Sequence, residues 1–356
     1  MIAMEKNKLL NSPVAKKLVS RDAITLYIIT VFYAVYSIMI YTGSASRQML
    51  NMVISLSCYV LLSVSLNLVV GFLGELSLGH AAFMSAGAYS GCILSVTLLE
   101  KFPELPMYVR LPLAMLFGGL VAAIFGIIIG IPALRLNGDY LAIVTLAFGE
   151  IIKNIIINLE FTGGAIGYNT ESIYEKPMEL LPYTIVAVFV SVILIMNLTR
   201  SRHGRAITAV RDNKIAASAT GVNTVYYKLM VFSFAAFIAG IAGVIWGHSF
   251  PIIKAAKFDF NMSIEILVIV VLGGMGSVRG SVIAAIILRV LPEMLKEFEQ
   301  YRMLIYSLVL ILMMIFNHSP IFEGLKLSLA NFFSRKNTKN SDTPEINTEG
   351  GEADGN

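Results

Sequence analysis

The chain has 356 residues, of which 56% are apolar and 14% are charged, and its formal net charge is +4. Soluble domains carry roughly 25% charged residues, so this composition excludes an ordinary soluble globular protein. Seven runs without any Asp, Glu, Lys or Arg reach the roughly 20 residues that a helix needs to cross a bilayer: Ala23–Ser46, Gln48–Gly74, Leu76–Leu99, Leu111–Leu134, Leu180–Thr199, Leu229–Ile253 and Met303–Phe322. The sequence therefore predicts an all-α polytopic membrane protein.

Two further stretches are apolar but carry a few charges. Tyr140–Leu159 contains Glu150 and Lys153, and Ile264–Leu291 contains three charged residues and the cluster Gly273-Gly274-Met275-Gly276. This cluster predicts either a turn between two short spans or a helix that is broken within the membrane. We therefore expect eight to ten transmembrane helices, some short or broken at glycine clusters, within a transmembrane domain at residues 23–322.

The distribution of charge predicts the orientation. Lys and Arg accumulate on cytoplasmic loops, and the first 22 residues contain five of them, so this N-terminal segment is predicted to be cytoplasmic. Counting spans forward places the acidic loop between Glu160 and Glu179 outside and the basic loop at residues 200–227 inside. The polar tail, residues 323–356, is predicted to be cytoplasmic and disordered because its composition cannot form a packed core.

The chain lacks the common motifs of catalysis. It contains no G-x-x-x-x-G-K-[ST] sequence for ATP, no H-E-x-x-H and no G-x-S-x-G, and its four histidines are scattered. We expect no catalytic residue, no metal site and no cofactor bound by this chain. The chain is therefore not expected to hydrolyse ATP by a P-loop of its own.

Polar residues at membrane depth are costly and therefore mark candidate functional sites. In Gly138–Asn154, eleven residues at 100° each bring Asp139 and Glu150 to nearly the same helical face. Together with Tyr140 and Thr145 they are candidates for lining a translocation pathway. The alternative is that Glu150 pairs with Lys153 near one interface and that Asp139 caps the helix near the other.

A second candidate is Asn67–Phe83, where three glycines are interspersed with polar residues. Irregular backbone at membrane depth survives only where it is buried in protein or lines a cavity, and transporters use such breaks to present helix ends to a ligand. The candidate pathway residues are Asn67, Glu75, Ser77 and His80. A plain cytoplasmic turn, with His80 as a helix cap, is the alternative.

A third candidate is Glu265–Ala285, where an aliphatic run is again followed by clustered glycines. Gly273, Gly274 and Gly276 are its candidate pathway residues. The similarity to the second stretch is consistent with a duplicated architecture. Small residues at helix–helix contacts would explain it equally well.

The basic segment Ser201–Asn223 interrupts two apolar runs. Asn213 is suited to cap a short helix that begins at Lys214, and Gly221 suits its C-terminal end. Ile215, Ala216 and Ala219 would share one face, which predicts docking into a groove on a partner protein. The alternative is a solvated loop whose basic residues only set the topology.

The same segment resembles a family. Arg205–Asn223 reads RAITAVRDNKIAASATGVN and is similar to the cytoplasmic coupling loop of the branched-chain amino acid ABC transporter permeases of the LivM-like type. Asn67–Tyr89, Leu136–Glu150 and Val271–Ser281 resemble further stretches of that family in the same order, and the resemblance covers about Ser55 to Phe316. Lys214 and Ser218 depart from it, since acids are frequent at both positions.

The resemblance implies a function and a set of partners. The chain would be a non-catalytic permease subunit of an importer in the bacterial inner membrane, together with a second permease, two ATP-binding subunits and an extracytoplasmic solute-binding protein. The residues implied in coupling to the ATPase are Arg205, Ala206, Val210, Arg211, Asp212, Ile215, Ala216, Ala217 and Gly221. A urea or short-chain amide permease, or an ion-coupled secondary transporter, are the alternatives.

Overall fold

The computed structural model describes residues 25–34, 47–133, 135–136 and 138–295 of a unit that extends from Met1 to Glu299. A second unit, Gln300–Asn356, is described only at positions 301, 304, 305, 307, 308 and 311. The predicted N-terminal segment, the predicted tail and most of the predicted span Met303–Phe322 therefore lie outside the described residues.

The described part is built almost entirely of helices. One six-residue π-helix, Leu68–Leu73, continues α2 directly. Strands β1 (Tyr168–Asn169) and β2 (Ile252–Ile253) form a short antiparallel pair. The α-helices are α1 Thr25–Ala34, α2 Arg47–Asn67, α3 His80–Lys101, α4 Met107–Ala133, α5 Asp139–Asn158, α6 Pro177–Arg200, α7 Arg202–Asp212, α8 Lys214–Ala219, α9 Thr224–His248, α10 Phe260–Gly273 and α11 Val278–Met294.

Six of the helical segments in the described ranges are long and apolar enough to cross a membrane. They are α2 with its π-helical continuation, α3, α4, α5, α6 and α9. Each overlaps one of the predicted apolar stretches, which confirms the all-α polytopic membrane fold. Helix α1 has only 10 described residues, and α10 and α11 have 14 and 17 residues.

The centre of the bundle is a contact between α3, α4 and α9 that depends on glycine. A Cβ atom on Gly243 of α9 would overlap the carbonyl oxygen of Met84 on α3, and one on Gly87 would overlap Gly240. Gly118 of α4 faces the Gly87 carbonyl in the same way. Small residues let helix backbones approach closely, and van der Waals packing of this kind holds membrane helices together.

Helices α10 and α11 form an antiparallel hairpin. Gly273 at the end of α10 lies against the backbone of Gly280 at the start of α11, and Glu265 pairs with Arg289 further along the two helices. Gly274 and Gly276 in the connection have φ angles of 89° and 80°, which suit glycine. Of the two predicted alternatives, the glycine cluster therefore forms the turn between two short helices.

The loops at one end of the bundle are tied together. Thr170 donates its backbone N–H to the carbonyl of Pro251, and Glu175 makes an ion pair of 2.9 Å with Arg110 at the start of α4. Burial raises the pKa of Glu175 above the ordinary carboxylate value, and Arg110 partly offsets this effect. Helices α7 and α8 lie at the opposite end, beside the glycine-rich break that follows the π-helix.

Candidate functional site

The two glycine-rich stretches contact each other through Asn67. The side-chain oxygen of Asn67 accepts a hydrogen bond of 2.8 Å from the backbone N–H of Gly276, and its amide nitrogen donates one of 2.9 Å to Ser281. A Cβ atom on Gly71 would overlap the Gly276 backbone nitrogen. The buried Asn67 side chain therefore joins the π-helix to the turn of the α10–α11 hairpin.

Arg211 links α7 to the same place. Its Nη1 donates a hydrogen bond of 3.1 Å to the carbonyl oxygen of Gly71, in the middle of the π-helix. The side chain of Arg211 also packs on Gly74, which has a φ angle of 78°, while its other nitrogens bind Asp212. π-Helical segments are frequent at functional sites, and here such a segment is held by a cation from the basic loop.

A buried ion pair lies at the same end of the bundle as α7 and α8. Lys228 of α9 and Glu75 of the glycine-rich break form a salt bridge, with side chains that are 3% and 12% exposed. Removing one partner of such a pair leaves an uncompensated buried charge, which is strongly destabilising. Glu75, predicted as a pathway residue, is thus engaged with another element in this conformation.

The other polar residues of the break are also buried. His80 lies within 2.7 Å of the Ser65 hydroxyl through its Nε2, and it is the first residue of α3 rather than its cap. The backbone N–H of Leu78 donates to Thr145 of α5 at 3.0 Å. The Ser77 hydroxyl is buried and has no hydrogen-bond partner among the described residues.

The predicted polar face of α5 is divided. Thr145 is buried against the glycine-rich break, whereas Asp139 is exposed, as is Tyr140 at 71%. Glu150 forms an ion pair with Lys153, as the alternative interpretation expected. Gly138 is the N-cap of α5 and Asp139 is its first residue, so the expected cap at Asp139 is wrong by one position.

Helices α7 and α8 have one buried and one exposed side. The Asn213 side chain accepts hydrogen bonds from the backbone of Ile215 and Ala216, which confirms the predicted cap of a helix that starts at Lys214. Val210 and Ala217 of the predicted coupling set are buried within the chain, and their role in coupling stays a prediction. The rest of the predicted coupling set is at least partly exposed: Arg205, Ala206, Arg211, Asp212, Ile215, Ala216 and Gly221.

One network was not predicted from the sequence. Arg289 of α11 donates to Glu265 of α10 at 3.0 Å and to the Ser55 hydroxyl of α2 at 2.8 Å. Tyr59 donates to the second Glu265 oxygen at 2.8 Å, and the Arg289 guanidinium lies 4.0 Å from the centre of the Tyr59 ring. The two charges were visible in an apolar run, but nothing in the local sequence indicated that they pair with each other or with α2.

Comparison with known proteins identifies related sequences over most of the chain. Residues 48–317 match the family model of the branched-chain amino acid transport system permease component. The chain is 33% identical over 326 residues to the high-affinity branched-chain amino acid transport system permease protein LivM of Salmonella typhimurium and of Escherichia coli, covering 83% of this chain and 73% of each relative. It is 23% identical over 286 residues to the permease protein LivH of Salmonella typhimurium, covering 76% of this chain and 92% of that protein. No solved structure matches. The matches confirm the family resemblance that the sequence motifs predicted.

Proposed function

Because the chain belongs to the family of branched-chain amino acid transport system permease components, we propose that it is the transmembrane subunit of an ABC importer. It would move branched-chain or similar hydrophobic amino acids across the cytoplasmic membrane. The chain is a multi-pass membrane transport component. ATP hydrolysis would reside in two separate subunits, and a second related permease and an extracytoplasmic binding protein would complete the assembly.

The observation that carries the coupling role is the two-sided environment of α7 and α8. On the side that faces away from the bundle, Ile215 is 82% exposed next to the charged Lys214 and Asp212. On the side that faces the bundle, Arg211 donates a hydrogen bond to the Gly71 carbonyl of the π-helix. Helix α8 is short, exposed and capped at its start, and Arg211 of the preceding helix α7 is hydrogen-bonded to a membrane span. Such a pair of helices is suited to transmit movement from a docked ATPase.

We propose the following route for that movement. Closure of the ATPase subunits shifts α7 and α8 together, and Arg211 carries the shift to the π-helix. Asn67 passes it to the turn at Gly276 and so to the α10–α11 hairpin. The substrate would pass beside the elements that move, at Asn67, Glu75, Ser77, His80, Thr145, Gly273, Gly274 and Gly276. On the exposed side of α5, Asp139, Tyr140 and Glu150 remain predicted pathway residues.

The full count of eight to ten spans is part of the proposal. The six long helices would be supplemented by crossings that involve α1, the α10–α11 hairpin and the stretch Met303–Phe322. With both termini in the cytoplasm, α7 and α8 would lie on the ATPase side. The acidic loop between Glu160 and Glu179 would lie on the side of the binding protein.

Co-purification with the ATP-binding subunits tests the docking surface. Ile215→Glu places a charge on the exposed face of α8 and is expected to remove the ATPase subunits from the purified complex. Ile252→Glu is the matched control, since Ile252 is 48% exposed in β2 at the opposite end of the bundle, and it should retain them. Retention of the ATPase subunits by the Ile215 variant, with substrate-stimulated ATP hydrolysis unchanged, would contradict the coupling role.

A further inference from the structure

The ion pair between Glu265 and Arg289 lies at the middle of the membrane span. Tyr59, which binds Glu265, is the eleventh residue of the 25-residue span Met49–Leu73. At a rise of about 1.5 Å per residue it is about 15 Å from one end of that span and about 21 Å from the other. A hydrocarbon core of about 30 Å therefore places these two charges near its centre.

Within the part of the chain that the structure describes, the pair is incompletely covered. The side chains of Arg289 and Glu265 are 26% and 32% exposed, and Ser55 beside them is also partly exposed. By contrast, Lys228 and Glu75 at the end of the bundle are almost fully enclosed. Hydrocarbon disfavours charged groups strongly, so the open side of the Glu265–Arg289 pair faces water or another polar surface.

The surroundings of the pair combine charge with aromatic surface. Arg289 lies over the ring of Tyr59, and the partly exposed ring of Trp246 is edge-on to Tyr59 with 6.3 Å between the ring centres. The ring of Phe250 extends this group, with 5.1 Å between its centre and that of Trp246. A carboxylate and a guanidinium thus lie beside an aromatic wall that extends toward the end of the bundle with the paired strands.

We propose that this group, Ser55, Tyr59, Trp246, Glu265 and Arg289, is a substrate subsite for zwitterionic aliphatic amino acids, which rests on the proposed transport function. The α-ammonium group binds Glu265, the α-carboxylate binds Arg289, and the aliphatic side chain packs on Trp246. A zwitterion brings one charge of each sign, so its entry replaces one ion pair by two and leaves no charge unpaired. Substrate sites of transporters typically lie near the midplane of the bilayer.

Neutralising both charges together separates this role from a purely structural one. A structural ion pair can be replaced by neutral groups of similar size with little loss, whereas a subsite needs its charges. In the complete reconstituted importer, the double variant Glu265→Gln/Arg289→Met is expected to assemble and to hydrolyse ATP. Its ATP-dependent leucine uptake should fall about ten-fold or more, because the substrate charges lose their partners. The double variant Glu175→Gln/Arg110→Met neutralises an ion pair at one end of the bundle and serves as the matched control.

Thiol labelling gives a second measurement that does not depend on assembly of the double variant. Cys58 and Cys92 are fully buried, so a single Ser55→Cys substitution adds one accessible thiol at the proposed subsite. A charged aqueous thiol reagent is expected to modify it in at least one nucleotide state. Saturating leucine with its binding protein should slow that reaction.

The outcomes are distinct. If the wild-type complex takes up leucine and the neutral double variant does so at the same rate, the subsite is wrong. Absence of labelling at position 55 in every nucleotide state, as expected if a second permease or lipid covers the pair, also overturns it, as does labelling that leucine does not slow. If the wild-type complex itself moves no amino acid, the proposed function fails instead.

Discussion

At the scale of single residues, the sequence indicates local contacts well and distant contacts poorly. The cap at Asn213 could be predicted because its partners, Ile215 and Ala216, are two and three positions away. The bond from Arg211 to the carbonyl of Gly71 joins residues that are 140 positions apart. Arg211 carries the same charge as the exposed Arg202 and Arg205 of the same helix, and only the fold shows that it contacts the π-helix.

Arg211→Gln should therefore uncouple transport from ATP hydrolysis. Hydrogen bonds to charged groups contribute about 1.5–3 kcal/mol, and coupling energies of about 1–3 kcal/mol correspond to roughly 5- to 150-fold effects. We expect ATP hydrolysis to persist while the leucine transported per ATP falls about ten-fold. Arg202→Gln, at an exposed position on the first turn of α7, is the control. An unchanged ratio of leucine to ATP in the Arg211 variant would show that this contact transmits nothing.

At the scale of helices, the apolar runs locate the spans, and buried ion pairs explain where the boundaries differ. The predicted run begins at Leu229 because Lys228 is charged, but α9 begins at Thr224, after the Asn223 cap. The helix can bury Lys228 because Glu75 pairs with it. Helix α4 likewise begins at Met107 and includes Arg110, which pairs with Glu175. Each partner lies on another element, so no local pattern could identify it.

Helix packing should be sensitive to the volume at Gly243. Gly243→Ala would force the Cβ atom against the Met84 carbonyl oxygen, and overpacking of this kind costs about 1–3 kcal/mol. We expect a lower unfolding temperature for the purified chain. Gly149→Ala is the matched control, because its nearest neighbour would be the Ala82 Cβ atom at 3.7 Å and alanine favours helix by about 0.5–1 kcal/mol. Equal unfolding temperatures for the two variants would contradict the close contact between α3 and α9.

At the scale of the whole molecule, the described helices have two chemically different ends. One end carries α7, α8 and the glycine-rich contacts around Asn67, and the other carries the paired strands and the Arg110–Glu175 bridge. The charge distribution predicted which loops belong to each end. It could not show that the glycine-rich stretches meet, since that contact depends on the folding of α10 and α11 back onto α2.

Sided labelling tests the orientation of these ends. Glu171→Cys lies in the acidic loop and Arg202→Cys at the start of α7, and both positions are exposed, while the two native cysteines are buried. A membrane-impermeant maleimide is expected to label position 171 in intact cells and position 202 only after permeabilisation. The reverse pattern would place α7 and α8 on the outer face, where they could not meet a cytoplasmic ATPase.

The most direct measurement of the central claim is leucine accumulation by proteoliposomes that contain the complete complex. We predict uptake that requires ATP at the face carrying α8, requires the binding protein at the other face, and continues when ionophores collapse all ion gradients. Uptake by this chain that is driven by an ion gradient in the absence of ATPase subunits would contradict the account.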